Sequence, residues 1–365
     1  MKKNQKTRVA IIGTVGIPAK YGGFETLAEN LVAQLGNRYE FTVYCSAPSY
    51  IGQRKESYLG ARLKYIPLKA NGKSSIIYDA LSIVQALFFA DVILILGVSG
   101  AFMIPVIRWF TKKRVITNID GLEWKRDKWG GTAKKYLKWQ EKIAIKYSNS
   151  IVVDNKGIED HVMKEYGLPS NLIAYGANHV YKKRLGEAVK NELRLPDSFA
   201  FKVCRIEPEN NIHIILNAFG ETDFDFVMVG NWSNSEYGKL LKEKHDSSNN
   251  LYLLDPIYEP DKLNALRSNC SLYVHGHSAG GTNPSLVEAM YLELPIVAFD
   301  VNYNRYTTDN EALYFSTKND LTQLLNSELM KVDNLKSIGK KMKNIAIRKY
   351  TWKVIGEAYE QLFSA

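Results

Sequence analysis

Cysteine is scarce: there are three in 365 residues, Cys45, Cys204 and Cys270. They lie far apart and form no CxxC pair, which excludes a disulfide-stapled secreted fold and a cysteine metal site. Such usage suits a reducing cytoplasm. Long apolar runs are missing too. The uncharged stretch Val92 to Ile107 contains Pro105 and is too short and too broken for a membrane span. Within Met1–Gly13 the apolar run is only Val9 to Ile12, so this segment does not read as a signal peptide. No repeat or low-complexity tract is present. Acidic residues are in deficit, with 48 Lys and Arg against 38 Asp and Glu, a net charge of +10. That balance points to an anionic partner: nucleic acid, a phosphorylated substrate or a membrane surface.

What is present reads as an ordinary globular chain, 45% hydrophobic and 24% charged, and long enough for two domains. Short apolar runs ending in Gly, Ser, Asp or Asn predict strands at Arg8–Gly13, Phe41–Cys45, Val92–Leu96, Arg114–Asn118 and Ile151–Val153. Leu27, Leu31 and Leu35 predict a helix over Glu25–Leu35. A second series begins near Phe199. It has strands at Phe201–Arg205, Phe226–Gly230, Leu251–Leu254, Leu272–His275 and Pro295–Phe299, with helices between them. Alternation of this kind predicts an α/β chain with two doubly wound parallel sheets. The expected domains are 1–180 and 190–349, with the amphipathic C-terminal helix, 350–365, packing back on the first. Ligands of such sheets bind beyond the carboxyl ends of the strands.

The loops after strands therefore hold the candidates. Gly13-Thr-Val-Gly16-Ile-Pro-Ala-Lys-Tyr-Gly22-Gly23 carries four glycines before a helix and suits an anion, although it is neither GxGxxG nor a P-loop. Asn118-Ile-Asp120-Gly-Leu-Glu123-Trp-Lys125-Arg126 offers Asp120, as a substrate-facing carboxylate or a helix cap. Asp154-Asn155 offers the same choice. In Arg205-Ile-Glu207-Pro-Glu209-Asn210, the arginine fork suits a diphosphate, or else pairs with a neighbouring glutamate. The richest loop is His275-Gly-His277-Ser-Ala-Gly280-Gly281-Thr282-Asn283-Pro284-Ser285-Leu-Val-Glu288. Here a Gly-rich turn meets a helix start, with Glu288 one turn inside. The HxH pair lacks a third ligand, so no metal is expected. Asp223-Phe-Asp225 looks like a metal-binding DxD, but it precedes its strand.

Together these loops resemble the retaining glycosyltransferases of family 4, which have the two-domain GT-B fold, two Rossmann-like domains facing a cleft. The strings GTVGIPAKYGGFET, NIDGLEWKRDKW, RIEPENN and HGHSAGGTNPSLVEAM look like a narrower group, bacterial rhamnosyltransferases of polysaccharide assembly. The resemblance implies transfer of L-rhamnose from dTDP-L-rhamnose onto a lipid-diphosphate-linked saccharide, without a metal or other cofactor. The alternatives are another nucleotide-sugar donor or a sugar-nucleotide epimerase of the same fold. It implies catalytic roles for Asp120, Arg205 and Glu288. Gly22, Gly23, Arg205, His277, Gly281, Thr282, Asn283 and Glu288 would bind the donor. Asp120, Lys125, Arg126 and Asp154 would face the acceptor. The family's first glutamate falls on Gly280, its diphosphate lysine on Asn210 and its N-domain histidine on Asp120.

Between Arg108 and Lys146 there are twelve Lys and Arg against four Asp and Glu, a local net charge of +8. The same stretch holds Trp109, Trp124, Trp129 and Trp139. Lysine with tryptophan predicts a peripheral protein on an anionic membrane, at the inner face of the cell membrane, and not a nucleic-acid binder. A helix over Lys134–Tyr147 is expected to place Tyr136, Trp139 or Gln140, Ile143 and Tyr147 along one seam.

Overall fold

A computed structural model describes residues 6–20, 22–119, 121–125 and 130–365. The chain divides into two compact units, one of Met1–Tyr175 with Trp352–Ala365 and one of Gly176–Thr351. The first unit runs β1 (Arg8–Ile12), α1 (Gly23–Leu35), β2 (Glu40–Ser46), β3 (Ser57–Tyr58), β4 (Ala61–Ile66), α2 (Ser75–Ala86) and β5 (Val92–Leu96). It continues with α3 (Ile104–Phe110), β6 (Arg114–Asn118), α4 (Gly131–Tyr147), β7 (Ser150–Val153), α5 (Lys156–Tyr166) and β8 (Asn171–Leu172). The second runs α6 (Glu187–Glu192), β9 (Ala200–Val203), α7 (Ile212–Phe219), β10 (Phe226–Val229), α8 (Glu236–Lys244), β11 (Leu251–Leu254), α9 (Pro260–Ser268) and β12 (Leu272–His275). Then follow α10 (Pro284–Tyr291), β13 (Ile296–Phe299), α11 (Asn302–Thr307), β14 (Leu313–Phe315), α12 (Lys318–Leu325) and α13 (Val332–Lys349). The chain closes with α14 (Trp352–Ser364), which belongs to the first unit.

The first unit's sheet has the order β3-β4-β2-β1-β5-β6-β7-β8, parallel except for the β3–β4 pair. The central strands are apolar on both faces, as a sheet covered on both sides requires. α1 buries Leu27, Ala28, Leu31, Val32 and Leu35 in one core cluster with Trp352, Ile355, Tyr359, Leu362 and Phe363 of α14. Asn118 Nδ2 donates to Tyr359 Oη at 2.9 Å, so the end of β6 is tied to α14. The second unit's sheet has the order β11-β10-β9-β12-β13-β14, parallel wherever paired.

Both orders reverse direction at one point. In the first unit β1 lies between β2 and β5; in the second β9 lies between β10 and β12. Loops leaving the two strands at such a point diverge and open a crevice. The loops after β9 and β12, both singled out in the sequence, are therefore neighbours.

α4 turns differently from its expected seam. It buries Leu137, Gln140, Glu141, Ala144 and Ile145, because Glu141 collects three donors on its inner side. Trp124 Nε1 and Tyr166 Oη donate to it at 2.9 and 2.7 Å, and His161 Nε2 lies 3.4 Å away.

Asp79 is the unusual residue of α2. It is almost fully buried, with the amide of Gly100 bonded to the carboxyl and Oδ1 left without a partner. Burial pushes its pKa up to about 8. The folded protein thus holds this proton up to about pH 8, whereas the unfolded chain loses it near an ordinary value of about 4. Folding takes up a proton between those limits, so this residue makes stability fall as pH rises through that window. Asp79→Asn is expected to flatten that part of the profile, with its stability relative to the natural protein rising from acid to neutral pH. Denaturant midpoints measured across the window check this.

Candidate functional site

The glycine-rich loop of the first unit is organised from within. Gly13 has φ +87°, and a Cβ there would strike the Leu96 carbonyl oxygen of the neighbouring strand. Glu25, in the first turn of α1, folds back under the loop. Its Oε1 accepts from Thr14 Oγ1 at 2.9 Å and from the Val15 amide at 2.7 Å. Glu29 accepts from the Ala19 amide. Two amides that an anion would use are thus already taken by carboxylates. Gly22, at φ +128°, has no room for a Cβ because the Glu25 carboxylate fills that space. Gly22 caps α1 without a side-chain bond, and Gly23 is the first residue of the helix.

Asp120 and Arg126 lie outside the described residues, as do Lys128 and Trp129. Lys125 is exposed in the single turn Glu123–Lys125, its ammonium 5.4 Å from the centre of the Trp124 ring. At the end of β7 Asp154 is buried, but the helix cap is its neighbour. Asn155 Oδ1 accepts from the Gly157 amide at 2.9 Å, because that side chain has the reach to the second amide of α5.

In the second unit the two sequence-marked loops are stitched together. β9 ends at Val203, earlier than expected, so Arg205 sits in the loop rather than on the strand. Its guanidinium is 43% exposed and lies 3.6 Å from Glu207, a loose pair that leaves the fork accessible. Asn210, the residue at the family's lysine position, is structural. Its Nδ2 donates to the Arg205 carbonyl at 2.9 Å, and its Oδ1 lies 3.1 Å from His277 Nδ1. Asn211 Nδ2 donates to the Gly276 carbonyl at 2.8 Å, and the Ser278 amide donates to the Glu209 carbonyl at 2.9 Å. A Cβ on Gly276 would collide with the Asn210 carbonyl, so glycine is required for this approach. His277 is further held by Asn304 Nδ2, which donates to its carbonyl at 2.9 Å.

After the turn, Asn283 caps α10. Its Oδ1 accepts from the Ser285 amide at 3.0 Å and from Ser285 Oγ at 2.8 Å, with Pro284 at the first helical position. Thr282 is buried beside it. Gly281 precedes them, following Gly280 at φ +99°.

Glu288, one turn further, is bracketed by two groups that the sequence did not mark. Arg267 of α9 lies 2.8 Å from Oε2, and His179 Nε2 lies 3.1 Å from Oε1. Burial alone would raise this carboxyl's pKa. The charge of Arg267, with the hydrogen bond and charge of His179, outweighs it and holds the group below its usual range. Glu288 therefore reaches a ligand already ionised and oriented. Below it, β12 and β9 carry buried polar groups. His275 is pushed well below its ordinary pKa by burial, with Lys202 and His277 adding to the effect. Lys202 is itself buried, which lowers its pKa. Among the described residues no group of three or more His, Cys, Asp or Glu is arranged to hold a metal ion.

An ionised carboxylate one turn into a helix, an accessible arginine and a glycine-rich turn before that helix can together orient hydroxyls beside a diphosphate. Residues 186–347 match the family model described as Glycosyl transferases group 1. Residues 6–178 match a domain of unknown function, DUF1972. No curated protein matches the chain. Among solved structures, sucrose-phosphate synthase of Thermosynechococcus elongatus superposes with a TM-score of 0.80 at 15% identity, covering 98% of this chain and 100% of that one. A glycosyltransferase from Rickettsia africae gives 0.78 at 12% identity, covering 99% and 98%. Anabaena HepE in complex with UDP gives 0.75 at 13% identity, covering 99% and 100%. The fold is GT-B. Its second unit matches the glycosyl transferases group 1 model, and glycosyltransferase is the enzyme class that this match supports.

The Arg267–Glu288 pair has a measurable consequence. Removing one partner of a buried ion pair leaves the other charge unanswered, at a cost of about 3 kcal/mol. Arg267→Met is expected to destabilise the protein by roughly that amount, and Arg267→Met with Glu288→Gln to recover much of the loss. Denaturant unfolding of both variants checks it.

Proposed function

We propose that the protein is a retaining glycosyltransferase that moves a sugar from a nucleotide sugar onto a lipid-diphosphate-linked saccharide at the inner face of the cell membrane. L-Rhamnose from dTDP-L-rhamnose is the donor that the sequence resemblance favours. The observation that carries the reading is the ionised Glu288, one turn into α10 and inside the segment matched to glycosyl transferases group 1. A UDP-sugar is the second reading, favoured by the UDP and UDP-glucose complexes of Anabaena HepE.

In this reading Glu288 accepts hydrogen bonds from the ribose hydroxyls of the donor. Arg205 and the amides of Gly281, Thr282 and Asn283 meet the diphosphate, and His277 lines the same turn. Departure of the nucleoside diphosphate builds negative charge on its oxygens, and donors aimed there stabilise the transition state more than the ground state. The sequence resemblance adds Gly22 and Gly23, at the start of α1, to the residues that would bind the donor. The sequence resemblance gives Asp120 the role of acting on the acceptor hydroxyl, and Lys125, Arg126 and Asp154 roles toward the acceptor. The acceptor sugar attacks on the face from which the diphosphate leaves, which preserves anomeric configuration.

The test is transfer from a panel of nucleotide sugars, dTDP-L-rhamnose and UDP-glucose included, onto lipid-diphosphate-linked saccharides, with product configuration read by NMR. Transfer with retention from one donor is expected and should persist in EDTA. Inverted product, or no transfer from any donor, overturns the reading. Arg205→Ala should lower turnover roughly a hundredfold with the fold intact, as loss of a charge-assisted contact predicts. For Glu288 the informative change is Glu288→Gln, which removes the charge but keeps an oxygen to accept from Arg267, whereas Glu288→Ala removes both. Asp120→Asn should lower kcat far more than it raises the donor KM; an equally active variant would make Asp120 a helix cap.

A further inference from the structure

The outer face of α2 carries no charge. Its only ionisable residue besides a tyrosine is Asp79, which points inward. The outward residues Ile77, Leu81, Val84 and Phe88 recur at helical spacing and continue one residue-pair past the helix end, Phe88 being 86% exposed. α3 adds Val106, Trp109 and Phe110, with the last two 70% and 79% exposed. Connections between neighbouring parallel strands are right-handed, so the helices leading to β5, β6 and β7 share one face of the sheet. Local contacts agree. Gly100, just before α3, sits against Asp79 and Ile83 of α2. Trp109 meets Tyr147 of α4 edge to face at 6.1 Å. The apolar stripe thus runs across α2 and α3 towards α4.

α4 presents a different outer line: Lys135, Trp139, Lys142 and Lys146 are all exposed and recur at helical spacing. Arg108 and Lys112 flank Trp109 and Phe110. A soluble monomer seldom leaves a connected apolar surface of this kind in water. A second copy of the chain is a poor cover, because a two-fold contact would bring each basic line against its twin. Anionic headgroups match the lysines, and acyl chains match the stripe.

We propose that this face docks on an anionic lipid bilayer, with α2 and α3 entering the interface and α4 reading the headgroups. Among the described residues no helix is long and apolar enough to cross a membrane, so the contact is interfacial. The inference goes beyond sugar transfer and does not need it.

The full chain should float with vesicles of phosphatidylcholine containing phosphatidylglycerol, and much less with phosphatidylcholine alone or at high salt. Ile77→Gln with Leu81→Gln and Phe88→Gln should weaken binding roughly tenfold or more, and so should Lys135→Glu with Lys142→Glu and Lys146→Glu. Thermal unfolding of both variants should match the natural protein, because every altered side chain is exposed. An environment-sensitive dye on Phe88→Cys should shift to the blue on vesicles, while one on Gln361→Cys, exposed on α14 on the α1 side of the same unit, should not. Binding equal for the α2 variant and the natural protein overturns the proposal. So does a dimer in sedimentation that the α2 changes dissolve, which would make the occupant a second copy. These vesicles hold neither acceptor nor donor. A chain that binds them yet transfers no sugar from any donor in the acceptor-containing panel assay overturns the transferase reading and leaves this one standing.

Discussion

A carboxylate that stays charged while nearly out of water is the interaction on which the second unit's site depends. Burial drives Glu288 towards its neutral form, and only the guanidinium of Arg267 and the imidazole of His179 reverse the balance. That requirement fixes more than one side chain. It sets α9 against the start of α10, and it draws the segment around His179 onto the same point. The Asn210 and Asn211 bonds then hold the loop after β9 beside the loop after β12, so that Arg205 stands at the rim. The first unit uses a carboxylate in the opposite way. Glu25 is answered by a hydroxyl and an amide of its own loop, which makes the loop rigid and spends donors that an anion would need. Two glycine-rich turns that read alike in sequence therefore differ in what they leave open.

What the sequence disclosed follows the reach of its signals. Strand-end loops stand out because an apolar run gives way abruptly to glycine, asparagine and charge, and their pairing follows from parallel topology. Arg267 gave no such signal. It lies in a polar helix, PDKLNALRS, and its partner is far along the chain. Lys202 is hidden for the converse reason, a single charge inside a strand, AFKV, with nothing local to show that it is buried. The two-residue strands β3 and β8 are too short for any period. α2 escaped notice because its pattern is reversed: the buried face carries the polar Ser75, Asp79 and Ser82 while the outer face is apolar. In α4 the local spacing of aromatics was outweighed by Glu141, whose partners come from the single turn Glu123–Lys125 and from the middle and end of α5: Trp124, His161 and Tyr166.

α14 follows the second unit in sequence and packs on the first. Tyr39 and Phe41, at the end of the first helix-strand pair, close against Phe363 with ring centres 5.4 and 6.2 Å away. Tyr39 Oη and Ser364 Oγ are 2.7 Å apart. Throughout translation of the second unit, which is whole in sequence from Gly176 to Thr351, that side of the first sheet lacks its cover. The order of synthesis and the order of completion are therefore reversed: the first unit is finished only when α14, which follows the whole second unit in sequence, has left the ribosome. A chain interrupted at any point within the second unit would carry the open flank of α1 as an adhesive surface, which makes α14 a checkpoint on α1.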